Sequence, residues 1–356
     1  MKPLTVVVIL LGLVGATAAV RAETHRFVPK VFYRTFSGAH PPALRIKSGD
    51  RVITTTVDDS GTGADGQTLT QGPNPQTGPF FIEGAEPGDL LVITIETLTP
   101  NRTTGTSTSL MAANAVASRS LAGRPDPKRY PWTIDTATSV VRLDLHAVSA
   151  STDWRSRFSS PAFEMPLRPV LGSIGVAPAG TEAHSTTVPG RFGGNLMSAA
   201  LTAGARVMLP VFQPGALLFL GHGRARQGDG GVTGTGIETS LDVEFSVAVV
   251  KKTSWPHSSV VRPSTVVGEF EMGWPRIETD DYLMAVGSAA SLLQALQHAT
   301  LELHHWLDDD FGLSEKTVSL FMGQALEYEI ASIVEPKFTV VAKVRKSYLP
   351  EAAAAQ

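Results

Sequence analysis

The 356-residue chain contains no cysteine. That one absence excludes disulfides, thiolate-bound metals and cysteine nucleophiles. Positive charge is not in excess either. With 30 Lys and Arg against 33 Asp and Glu, the chain lacks the electrostatic footprint of a nucleic-acid binder. Neither a G-x-S-x-G elbow nor an H-E-x-x-H helix occurs, so serine-elbow and zincin chemistry have no carrier. The apolar run Leu4 to Val20 follows Lys2 and ends at Val20-Arg21-Ala22 before Glu23. A basic start, an apolar middle and a small residue at the cut describe a secretory signal peptide over 1–22. The run is short for a membrane span. The mature chain is therefore expected to be periplasmic or secreted, with no stable membrane association.

What is abundant is turn chemistry. The 33 glycines and 24 prolines suit many short strands joined by tight turns. One unit recurs: Ile46-Lys-Ser-Gly-Asp50-Arg-Val-Ile, Ala85-Glu-Pro-Gly-Asp89-Leu-Leu-Val-Ile, Leu201-Thr-Ala-Gly-Ala-Arg-Val and Gln213-Pro-Gly-Ala-Leu-Leu-Phe. Each is a glycine turn feeding a strand, as at the corners of a β-sandwich. The apolar run after Asp89 is nearly continuous, which predicts a strand buried on both faces. Hydrophobic residues make up 42% of the chain, enough for a substantial core.

After Trp255 the pattern changes. Tyr282-Leu-Met-Ala-Val reads as a strand, with Ser288 as a helix N-cap. Leu292, Leu296, Ala299, Leu303 and Leu307 follow helical spacing, and Gly312 closes that helix. Ser314 opens a second helix, predicted to run to about Ile333, and Phe338-Thr-Val-Val-Ala-Lys-Val is a last strand. The expected fold class is mainly β with an α/β addition. A β-sandwich core spans 23–255, a strand-helix-helix-strand unit spans 256–350, and the Ala-rich tail 351–356 is left without structure. His304, His305, Asp308 and Asp309 share one helix beside Trp306 and are read as its solvated face.

The stretch from Pro189 to Glu244 carries the densest chemistry. Two turn-plus-strand units there run into a predicted loop of glycines bearing His222, Arg224, Gln227 and Asp229. Glycines let backbone and side chains approach a ligand closely. A polar cluster held on such a scaffold is a candidate site.

Asn74-Pro-Gln-Thr-Gly-Pro-Phe-Phe-Ile-Glu83-Gly-Ala-Glu86-Pro-Gly-Asp89 resembles a segment of the acetamidase/formamidase family. So do Leu171-Gly-Ser-Ile-Gly-Val-Ala-Pro178, Pro189-Gly-Arg-Phe-Gly-Gly-Asn195 and the run from Pro214 to Gly230. The likeness extends through Trp274-Pro-Arg-Ile-Glu and covers nearly the whole mature chain. It implies a sandwich-based fold, hydrolysis of short linear amides to acid and ammonia, and a bound divalent metal such as zinc. The family pattern carries acids where this chain has Met197, His222 and Gly231, and a histidine where it has Arg224.

Amide hydrolysis needs an activated water, a partner for the oxyanion and a proton for the leaving amine. In the light of the resemblance, Glu83 and Asp229 are the expected acid and base. Asn195 and Gln227 would hydrogen-bond the amide, and Arg224 would clamp a carboxylate or polarise a carbonyl. Asp58 is a metal-ligand candidate, though an Asp in such a position is more often a turn-former. His222 would supply a neutral imidazole to the metal in place of a carboxylate. The expected partner is a small amide, bound by a monomer or homodimer. A binding protein that kept the pocket and lost catalysis is the rival reading.

Overall fold

The computed structural model describes residues 22–120, 127–148, 159–252, 273–334 and 336–349. The apolar leader segment and the Ala-rich tail lie outside the described residues. Two large sheets dominate. The first has nine strands, in the order Thr24–Arg26, Arg51–Thr55, Leu241–Val250, Leu90–Pro100, Arg206–Pro210, Arg276–Glu278, Tyr282–Ala289, Phe338–Arg345 and Glu327–Ser332. The second has eleven, with Leu218–Arg226 paired to Val170–Gly175 on one side. On its other side that strand pairs with Gln76–Glu83 and then Ile237–Glu238.

The sheets pack face to face over one core. Phe80 and Leu220 of the second sheet meet Leu91, Ile93, Ile95 and Phe245 of the first within it. Across the gap Phe80 and Phe245 lie edge to face at 5.2 Å, a favoured aromatic geometry. The outer face of the first sheet is covered by Leu292–Phe311, which buries Ala295, Ala299, Leu303, Trp306 and Leu307 against Val92, Leu283, Ala285, Val340 and Ala342. Strand Leu90–Pro100 thus has Leu91 and Ile93 in the sandwich core and Val92 beneath the helix. Its continuous apolar run follows from burial on both faces.

The recurring glycine unit is a turn with a fixed job. Gly49 and Gly88 adopt φ of 97° and 94°, open to glycine at no steric cost. In the first turn Asp50 Oδ2 accepts the Lys47 N–H at 2.8 Å, and in the second Asp89 Oδ2 accepts that of Glu86 at 2.9 Å. The strands of the C-terminal segment extend the first sheet, because Arg276–Glu278 pairs directly with Arg206–Pro210.

Three local expectations are corrected. The first helix has Ser291 at its N-cap position, and Ser288 lies inside strand Tyr282–Ala289. The second helix, opened by Ser314 as expected, ends at Ala325. Beyond it Glu327–Ser332 pairs with Phe338–Arg345, and a partner strand outweighs helix propensity. Most consequentially, His222 and Arg224 sit in a central strand and not in a loop. Pairing on both sides satisfies the backbone of this glycine-rich segment, so it has no reason to loop out.

Candidate active site

Residues two apart on a strand share a face, so His222 and Arg224 project to the same side. The register sets Glu238 of the neighbouring strand opposite Arg224. All three are buried, Arg224 and Glu238 completely. Arg224 Nε donates to Glu238 Oε1 at 2.8 Å, and its Nη2 lies 2.7 Å from His222 Nε2. The Gly236 N–H also donates to Glu238 Oε1, at 2.7 Å. Burial alone would raise the Glu238 carboxyl, but the Arg224 charge, helped by His222 and this N–H, holds it at about 2.

The loop after Arg51–Thr55 adds two more carboxylates. Asp58 Oδ1 accepts the N–H groups of Ser60 and Thr62 at 3.0 and 2.9 Å, and Oδ2 accepts Arg102 at 2.6 Å. Its neighbour Asp59 accepts Arg129, at 2.9 Å to Oδ1, with a second contact to Oδ2. Arg129 is pushed above its ordinary value by the hydrogen bond to Asp59, with Glu238 and Asp58 adding their charge. Three carboxylates, Asp58, Asp59 and Glu238, are thereby matched one for one by Arg102, Arg129 and Arg224.

In front of this cluster lies a cavity of about 170 Å³ lined by Asp59, Asn74, Asn195, Met197, His222 and Lys337, among others. Asn195 Nδ2 donates to the Thr187 carbonyl at 3.2 Å, and its Oδ1 lies 3.2 Å from His222 Nδ1. Six non-glycine residues have positive φ among the described residues, and three of them, Asn74, Met197 and His222, line this cavity. Such conformations are costly and persist where surrounding structure enforces them, often at functional sites.

The expected site residues are only partly gathered here. His222 and Asn195 line the cavity, and Arg224 stands directly behind His222. Gln227 Nε2 donates to the Met197 carbonyl at 2.6 Å, so it shapes the wall and does not line the cavity. Asp58 is the turn-former of the two readings, its oxygens consumed by the loop and Arg102. Glu83 is exposed at the end of strand Gln76–Glu83, whose opposite end pairs with Gly221. Seven strand residues at about 3.3 Å each put it roughly 20 Å from His222. Asp229 lines a separate cavity of about 460 Å³ with Arg168, Asp280 and Asp281. The expected convergence of Glu83 and Asp229 is therefore corrected. Asp59 and Glu238 are the acids that sequence reasoning missed. The Asp58-Asp59 doublet was the available signal for the first; Glu238 becomes visible only through strand register.

A sequence profile of the acetamidase/formamidase family matches residues 159–347, more than half of the chain. The chain belongs to this family. A Schizosaccharomyces pombe protein whose name proposes a formamidase is 30% identical over 218 residues. That match covers 49% of this chain and 51% of the relative, so the chain spans about half the length of this curated relative. Crystal structures of acetamidases from Bacillus halodurans and Yersinia enterocolitica align with TM-scores of 0.71 and 0.73, at 26% and 27% identity. They cover 91% and 95% of this chain and 98% and 96% of their own. Membership supports amide hydrolysis as the general chemistry of the family.

The sequence resemblance to the acetamidase/formamidase family also implied a divalent metal. Asp59, His222 and Glu238 do place potential ligand atoms within 4.8 Å of one another. Their chemistry does not suit a dication as they stand. With Nε2 accepting from Arg224, His222 carries its proton on Nδ1 and donates to Asn195. With the proton on Nε2 instead, Nε2 donates to Glu238 Oε2 at 2.9 Å and Nδ1 lies 3.3 Å from Arg224 Nη2. In either neutral tautomer the remaining ring lone pair faces the Arg224 guanidinium. The cluster's charges are already balanced, and a dication would add two uncompensated units beside a guanidinium that cannot deprotonate.

Proposed function

We propose that this chain hydrolyses short linear amides at the cavity bounded by Asp59, Asn195, His222 and Lys337. The observation that carries the reading is size. A cavity of about 170 Å³ holds five or six water-sized volumes of roughly 30 Å³ each. Formamide and acetamide fit with room for one attacking water, while drug-sized ligands need roughly 300 Å³ or more.

In this reading Asp59 is the base, because it is the carboxylate that lines the cavity. Arg129 holds it in place, and a lone pair remains on each oxygen to take a proton from water. Lys337, half-buried at the same cavity, donates to the Pro189 carbonyl at a long 3.4 Å. Its ammonium is available to the oxyanion that forms as water adds to the carbonyl. When the carbon–nitrogen bond breaks, the proton taken by Asp59 passes to the leaving nitrogen, giving ammonia and the acid. His222 acts by position, holding the Asn195 amide. No step is routed through zinc, the ion the resemblance suggested, because the donor set favours Arg224 in its place.

The assay is ammonia release across an amide series. Formamide and acetamide should turn over, and benzamide should not, because its ring overfills the cavity. Ligand-dependent thermal stabilisation by acetamide with no ammonia from any amide would instead support binding without turnover. The one-for-one pairing of carboxylates with arginines is the observation that favours that second reading.

The site of action is proposed from the leader segment alone: a hydrolase that works outside the cytoplasm. Mass spectrometry of the exported protein should find Glu23 at its N-terminus, and a chain that retains Lys2 would contradict this.

A further inference from the structure

We infer that the Arg224 guanidinium is the resident cation of this site, standing between His222 and Glu238 where a divalent ion would otherwise bind. The metal-free reading offered above supplies the setting, but the inference rests on how the arginine itself is built into the fold. Arg224 is completely buried, with two nitrogens committed to the triad: Nε 2.8 Å from Glu238 Oε1 and Nη2 2.7 Å from His222 Nε2.

The surrounding backbone is cut to fit it. A Cβ on Gly172 would stand 3.0 Å from Arg224 Cζ and 2.8 Å from His222 Nδ1. One on Gly236 would stand 2.7 Å from Arg224 Cδ. Both neighbouring segments therefore lack side chains at the places where the guanidinium and its stem lie, and a Cβ on Gly236 would stand closer to the stem than real Cβ atoms do.

The remaining polar groups agree on charge. Glu238 Oε2 lies 2.9 Å from His222 Nε2, and Arg224 Nη1 has no hydrogen-bond partner among the described residues. A monovalent, planar cation that already satisfies one carboxylate oxygen leaves the pair close to neutral. A dication added to the same pair does not. Arginine also cannot be lost by chelation or by proton uptake in the ordinary range. The site keeps its positive charge independently of metal supply.

The test is ion binding and not turnover, so it stands apart from the amidase assay. The purified chain is stripped with a chelator, dialysed and titrated with Zn²⁺ by calorimetry and with Co²⁺ by visible absorption. The wild type should take up no stoichiometric ion and show no ligand-field bands of a protein-held Co²⁺. Arg224→His removes the fixed charge and adds a donor. It should bind one ion per chain, at least about 100-fold more tightly than the wild type, given the repulsion between a dication and a buried cation a few ångströms away. Arg224→Gln, which keeps a hydrogen bond to Glu238 without the charge, should also gain affinity, and it serves if Arg224→His does not fold. One tightly held Zn²⁺ per wild-type chain would overturn the inference. So would a folded Arg224→His and a folded Arg224→Gln that both bind no better than the wild type.

Discussion

Arg224→Met is expected to lower the folding free energy by about 3–5 kcal/mol, the usual cost of stranding one partner of a buried ion pair. Glu238 would remain with no exposure to water and without its main countercharge, keeping the Gly236 N–H and the His222 ring beside it. The double variant Arg224→Met, Glu238→Leu should recover most of that loss, because a similar volume is filled and no charge is left alone. Urea denaturation of the wild type and both variants measures this. A loss below about 1 kcal/mol for the single variant would mean that water reaches Glu238 and that the pair is not sealed.

The same pair sets a pH dependence of known sign. Glu238 ordinarily titrates near 4.5 and is held at about 2 in the folded chain. A depressed folded-state value means that the unfolded chain takes up the proton first. The stabilisation is therefore complete above about pH 4.5 and is lost as pH falls toward 2, amounting to about 3 kcal/mol. Arg224→Met should remove most of this acid sensitivity along with the stability.

Asp59→Asn carries the largest expected effect on turnover. Loss of a general base costs about 100- to 10,000-fold in rate. The amide is isosteric, and Arg129 is 40% exposed, so water can compensate its lost partner and the fold should survive. Circular dichroism would report an unchanged fold while ammonia release collapses. Glu83→Gln is the contrast, since an exposed carboxylate remote from the cavity should alter the rate by less than about two-fold. A fully active Asp59→Asn would remove Asp59 from the mechanism. A dead but folded Glu83→Gln would restore the glutamate that the motif likeness had favoured.

Much of the fold was legible because each local signal agreed with its tertiary setting. Gly49 and Gly88 marked turns that needed positive φ. The unbroken apolar run after Asp89 marked a strand covered on both faces, and Gly312 ended the helix in a left-handed cap. The failures have physical reasons too. Glu327 to Ser332 becomes a strand because Phe338–Arg345 offers it a partner, and a pairing across a connection is invisible to helical spacing. Gly221, Gly223 and their neighbours looked like a loop, yet in a sheet their missing side chains permit close strand packing.

The site was less legible than the fold. His222, Asn195 and Arg224 came from one segment and its motif likeness, and they do cluster. Glu238 sits among ordinary strand residues and gains its role only by standing opposite Arg224. The Asp58-Asp59 doublet hid a division of labour, in which the first builds the turn and the second faces the cavity. Glu83 shared a recognisable segment with the family, but its strand carries it away from the cavity.

Ammonia release from formamide by chelator-treated protein, measured with and without added Zn²⁺, tests the central claim most directly. Release at the same rate in both conditions is the result expected of an amidase that carries its own cation in Arg224. Release that vanishes on chelation and returns only with zinc would contradict it, as would a folded protein that frees no ammonia in either.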